Sequence, residues 1–178
     1  MDKGVESMTD KLIVYYSRAD ENYVSGVIKN LRVGNTEIVA GIIKELTGAD
    51  AFKIEQAVPY SKSYNECIEQ ARSDRNGNVR PELAAFPKSI ENYKTVYLGY
   101  PNYWSTMPMA VFTFLEKFDF SGKIIKPFCT HEGSGLGESV KDIAHLCPNA
   151  HIARGLAIHG GSASRSKNEI EKWIGEED

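Results

Sequence analysis

Apolar runs of strand length alternate with segments of helical period along this 178-residue chain. That alternation leaves few folds open. Parallel strands need long crossovers, the crossovers are usually helices, and the strands between them are buried on both faces and so read as continuous apolar runs. The runs fall at residues 11–16, 51–55, 95–100, 124–130 and 150–158. Helical patterns are predicted at residues 34–46, 61–75, 138–146 and 162–174, with one more opening at Pro108. Gly48 and Gly77 stand where the first two helices must stop. Residues 78–91, with two prolines and little period, are predicted to form a loop or an insertion carrying a short helical turn. The sum is an α/β chain, a three-layer, doubly wound, five-stranded parallel sheet. Right-handed crossovers leave the strand orders 2-1-3-4-5 and 3-2-1-4-5 as the common options.

A chain of this length buries about 70% of the surface it would expose unfolded. We therefore expect one domain over residues 11–178, preceded by a polar lead at residues 1–10 that has no signal-peptide character. Net charge is −3 with Lys and Arg scattered, so no nucleic-acid footprint is visible. Apolar runs are far too short for a membrane span. Cys67, Cys129 and Cys147 lack CxxC or metal-ligand spacing, as do the four histidines, so no metal is expected and the thiols read as free, in a cytoplasmic protein.

In open α/β sheets a ligand sits beyond the carboxyl ends of the strands, where the winding reverses. Three loops there are unusual. After the first strand, Ser17 and then Gly34-Asn35-Thr36 put small polar residues at a helix start, a corner that attracts phosphate. After the third strand, Tyr103 and Trp104 lie between Pro101 and Pro108, off any apolar stripe, where rigid aromatics suit a flat conjugated ligand. After the fourth, His131-Glu132-Gly133-Ser134-Gly135-Leu136-Gly137 lets backbone approach a ligand closely. Only the order 2-1-3-4-5 makes these strands neighbours with the switch between one and three. The chain has no GxxxxGK[ST], no GxGxxG after a strand and no GxSxG elbow. A receiver-type acidic site is also missing, since Tyr100-Pro101 stands where its Asp would close the third strand.

The series Tyr-Ser with Gly-Asn-Thr, then Gly-Tyr-Pro-Asn-Tyr-Trp, then Thr-His-Glu-Gly-Ser-Gly resembles the flavodoxin-like flavoproteins. More narrowly, it is similar to the short-chain bacterial group that binds flavin mononucleotide (FMN). The resemblance spans roughly residues 11–174. It implies that Ser17, Asn35 and Thr36, with Arg18 beside them, hold the 5′-phosphate. Pro101, Asn102, Tyr103 and Trp104 would line the isoalloxazine ring, and His131, Glu132, Gly133, Ser134 and Gly135 its pyrimidine side. It departs from the family at residues 19–33, about fifteen positions inserted as a surface loop, of which Tyr23 and Asn30 could cover the ligand or face water. The role implied is redox. One form is an electron carrier with a partner protein; the other is an NAD(P)H-dependent reductase of quinones or similar small acceptors, for which residues 19–33 and 78–91 could roof the site. A non-redox binding or regulatory module on the same fold is the alternative. No catalytic residue is singled out, although His131 and His159 fall on the ligand edge. Tyr60, Tyr64 and Tyr103 could equally serve a homodimer.

Overall fold

Residues 9–177 are described by the computed structural model, so all of the expected polar lead except Thr9 and Asp10 lies outside the described residues. Strand β1 occupies Lys11–Tyr16. It is followed by β2 (Asp20–Val24), β3 (Val27–Leu31), α1 (Asn35–Thr47), β4 (Asp50–Ile54), α2 (Tyr64–Asn76) and β5 (Thr95–Pro101). Then come α3 (Met109–Lys117), β6 (Ile124–His131), α4 (Ser139–Leu146), β7 (His151–Ile152), β8 (Leu156–His159), a 3₁₀ helix (Gly160–Arg165) and α5 (Lys167–Ile174).

The main sheet is parallel and runs β4-β1-β5-β6, with β7 and β8 both on the outer side of β6. Counted by main-sheet strand, this is the order 2-1-3-4-5. Period-2 alternation divides the core into two layers. Leu12, Val14 and Tyr16 of β1 and Val96, Leu98 and Tyr100 of β5 face α3 and α4, whereas Ile13 and Tyr97 face α1 and α5. On the first side Phe114 is fully buried, with Phe52, Phe86 and Phe118 at ring-centroid distances of 5.8, 6.3 and 5.2 Å.

Three expectations are corrected. Residues 19–33 are not a loop but the antiparallel hairpin β2–β3, paired from Asp20↔Leu31 to Val24↔Val27. Its turn residues Ser25 and Gly26 have φ 51° and 89°, the positive-φ pair that matches the twist of a two-residue hairpin. The expected fifth strand is two strands with one extra residue between them: Ile125 pairs with Ile152, but Phe128 pairs with Leu156. The gap lies opposite Lys126-Pro127, and Pro127 has no N–H for a ladder. The last helix is likewise divided, a 3₁₀ segment giving way to α5 at Ser166, whose hydroxyl donates to the Ala163 carbonyl at 2.6 Å. Of the two alternatives for residues 78–91, the structure takes the loop, without a helical turn. These residues run irregularly and are fastened where Ala57 N–H donates to Glu82 and Ala84 N–H to Glu55, both at 2.8 Å.

Candidate functional site

The carboxyl ends of β1, β5 and β6 converge on a cavity of about 380 Å³, within the range of small-molecule sites. Eleven of the thirteen residues expected at a ligand line it: Ser17 and Arg18 after β1, Asn35 and Thr36 on α1, Pro101 to Trp104 after β5, and His131, Glu132 and Ser134 after β6. Gly133 and Gly135 do not.

At the first corner α1 starts with Gly34 as N-cap and no side-chain cap, so the N–H groups of Asn35 and Thr36 have no intrahelical acceptor. Ser17 Oγ accepts the Glu37 N–H at 3.1 Å, fastening the end of β1 to this helix start. Thr36 is buried and shares a 2.7 Å hydroxyl–hydroxyl bond with Thr130 at the end of β6. Arg18 lines the cavity, but its guanidinium donates to three carbonyls, those of Glu21, Ser61 (2.7 Å) and Lys62 (2.8 Å). It braces the hairpin root against the residues before α2.

The second corner is a tight turn. Tyr103 and Thr106 exchange backbone hydrogen bonds of 2.8 and 3.2 Å, with Trp104 and Ser105 between them at φ 54° and 69°. Two non-glycine residues in the left-handed region cost about 1–2 kcal/mol each, so the surroundings must hold them there. Trp104 Nε1 donates to the Ile68 carbonyl at 2.9 Å, and Ser105 O accepts Glu138 N–H at 2.7 Å. Asn102 ties the loops together, its Oδ1 accepting Ser105 N–H at 3.0 Å and its Nδ2 donating to Gly135 O at 2.9 Å. Its amide is thereby committed to protein, so it positions the aromatic turn. Asn102→Ala should cost about 2 kcal/mol, two hydrogen bonds at about 1 kcal/mol each, read as a lower urea midpoint with unchanged m value.

At the third corner, Glu132 Oε2 accepts the backbone N–H of Ser25 at the hairpin tip at 2.9 Å and lies 3.4 Å from His159 Nε2. Glu132 Oε1 is buried without a hydrogen-bond partner among the described residues. A Cβ at Gly160 would lie 2.5 Å from it and 2.6 Å from Asn35 Nδ2, so the Gly160 backbone packs closely against both side chains and leaves no room for a methyl group. His131 Nδ1 accepts Gly133 N–H at 2.9 Å, which leaves the proton of the neutral ring on Nε2. Burial, and then the neighbouring His159, push His131 below its usual pKa, so it is neutral at pH 7. His159 does not line the cavity and reaches it only through Glu132 and His131, whose ring is 5.8 Å away.

Several lining residues escaped the sequence reading. Tyr64, Cys67, Ile68 and Ala71 recur at helical spacing on α2, and the face they share meets the cavity. Of the two residues of 19–33 left open by sequence, Tyr23 lines it from the hairpin, stacked on Tyr64 at 6.0 Å and 26°, and Asn30 does not. The signal for the hairpin was present: Tyr23-Val24-Ser25-Gly26-Val27-Ile28 places a Ser-Gly turn dipeptide between β-prone pairs. Burial raises the Cys67 thiol above its usual pKa and pushes Cys129 to about 12, so neither is a thiolate. Burial, with Tyr16 and Cys67 beside it, likewise holds the Tyr103 phenol well above its usual value. Among the described residues no His, Cys, Asp and Glu group could hold a metal, and no helix is long and apolar enough to cross a membrane.

A family model described as flavodoxin matches residues 27–177. No curated protein matches the chain. A protein from Bacteroides uniformis ATCC 8492, provisionally described as a flavoprotein, is similar in structure with TM-score 0.73 and 22% identity, over 93% of this chain and 97% of that one. A flavoprotein in complex with FMN from Lactobacillus acidophilus NCFM gives TM-score 0.65 at 18% identity, covering 92% and 97% of the two chains. A Fusobacterium nucleatum flavodoxin bound to flavin mononucleotide gives 0.52 at 12%, covering 92% and 94%. At these identities the likeness establishes a shared fold.

Proposed function

The chain belongs to the flavodoxin family, and from that premise we propose that it is an FMN-binding redox protein that passes electrons to quinones or similar small acceptors. The observation that carries this reading is the meeting of an uncapped helix start, an aromatic turn and a buried unpartnered carboxylate oxygen around one cavity of about 380 Å³. Each suits a different part of FMN. The N–H groups of Asn35 and Thr36 and the Ser17 hydroxyl suit the phosphate. Glu132 Oε1 can accept from a ribityl hydroxyl, which would satisfy a buried acceptor otherwise left at a cost of about 1–3 kcal/mol or more. Tyr103, Trp104 and Tyr64 offer flat surfaces to the ring. FMN supplies a ring that takes up and returns two electrons. His131, neutral with its proton on Nε2, can hydrogen-bond an acceptor oxygen at the cavity wall.

The protein as purified should carry a yellow chromophore absorbing near about 370 and 450 nm, or regain it when FMN is added. FMN at about a thousand times Kd should stabilise the fold by about 4 kcal/mol, raising Tm by roughly 8–16 °C. A melt unmoved by FMN, with no retained colour, would remove the cofactor reading. Anaerobic mixing with NADPH, with and without a quinone, tests the reductase role: no reduction by pyridine nucleotide leaves only electron transfer from another donor.

A further inference from the structure

We propose, resting on the FMN reading above, that the β2–β3 hairpin is a roof that selects the electron acceptor, admitting small planar rings to the cavity and keeping protein acceptors away from it. The hairpin is fastened on two sides of the cavity. At its root Arg18 binds the carbonyls of Ser61 and Lys62, the Glu21 carboxylate accepts Tyr64 N–H at 2.8 Å, and Glu21 N–H donates to Lys62 O at 3.3 Å. At its tip Ser25 N–H reaches Glu132, 107 positions along the chain. Root and tip therefore belong to walls contributed by α2 and by the segment after β6.

Between these anchors stands Tyr23. It lines the cavity and stacks on Tyr64, yet is 42% exposed, so the ring pair has one side toward the site and another toward solvent. A near-parallel tyrosine pair at a cavity mouth offers a flat apolar contact to a planar guest and little to a bulky one. The hairpin also lacks the one-signed rim that steers a protein partner. Asp20 and Glu21 are offset by Lys29 and Arg32, with exposed Val27 and Ile28 among them. A quinone accepted here gains a hydride from the reduced flavin and a proton from solvent, becoming a hydroquinone as the flavin returns to its oxidised form.

The test uses FMN-loaded full-length protein, photoreduced without oxygen and mixed with 1,4-naphthoquinone or with cytochrome c, following flavin reoxidation. Wild type should saturate with naphthoquinone and react slowly with cytochrome c. Tyr23→Ala, at a half-exposed position that should leave the fold intact, should raise the half-saturating naphthoquinone concentration about tenfold and speed the cytochrome c reaction several-fold. Tyr64→Ala should weaken naphthoquinone saturation in the same direction. Flavin retained with neither parameter moved in Tyr23→Ala overturns the roof alone, as does wild type that reduces cytochrome c as readily as naphthoquinone. Failure of the wild type to retain FMN overturns the roof together with the cofactor reading beneath it.

Discussion

Gly34→Ala should weaken FMN binding by about a hundredfold or more while leaving most of the fold in place. A Cβ on Gly34 would lie 2.2 Å from Ser17 Oγ, 2.6 Å from the Arg18 carbonyl oxygen and 2.9 Å from its carbon. All three are closer than packed atoms tolerate, and two are backbone atoms that cannot swing aside. Relief requires the end of β1 to part from the start of α1. That separation breaks the Ser17–Glu37 contact and disturbs the Arg18 carbonyl, which also accepts Asn22 Nδ2 at 3.0 Å. Charge-assisted hydrogen bonds to a phosphate contribute about 1.5–3 kcal/mol each. Losing two of them amounts to about 3 kcal/mol or more, hence the hundredfold. Crowding itself should cost about 1–3 kcal/mol of stability, which a thermal melt separates from the binding defect. Titrating the apo variant with FMN by fluorescence quenching is the measurement. An affinity within threefold of wild type would mean that the Ser17–Gly34 corner does not hold the phosphate.

Phe114→Ala should have the largest effect on stability, about 3–5 kcal/mol, and no direct effect on the cavity. Phe114 is wholly buried among Phe52, Phe86 and Phe118 and takes no part in lining the site. Removing it forfeits apolar burial and three ring contacts at once. The void has little chance to collapse, because its three ring neighbours are anchored on β4, in the segment before β5 and just after α3. Native domains hold only about 5–15 kcal/mol in total, so a loss of this size should lower Tm by roughly 6–20 °C. Urea unfolding should show a reduced midpoint at unchanged m value, with FMN affinity of the folded fraction preserved. A change below about 1 kcal/mol would mean that these rings are not the packing centre of their layer.

The two predictions differ in how far sequence could have supplied them. Phe112, Leu115 and Phe118 are legible as an apolar helix face; that Phe114 is wholly buried and that Phe52 and Phe86 complete its group required the fold. Gly34 was legible as part of a phosphate corner, but its intolerance of a methyl follows from the approach of Ser17, seventeen positions earlier. What the stripe on α2 faces was not legible, for a physical reason. Spacing at i, i+3 and i+4 states that Tyr64, Cys67 and Ile68 share a face, and says nothing of whether sheet or cavity lies opposite. The fifth strand misled for another, since the lapse in its ladder lies opposite Pro127 on a neighbouring strand.

By itself the order of residues determined the alternation of strands and helices and the chemical character of the three loops, because side-chain period and turn chemistry are local properties read within a few positions. Only the tertiary structure decided which distant groups touch. It committed Arg18 and Asn102 to backbone partners, turned one face of α2 toward the cavity, and laid a hairpin across the cavity so that Ser25 meets Glu132. Those outcomes depend on how elements separated by tens of residues are stacked, and contact across such distances leaves no periodic trace in a single chain.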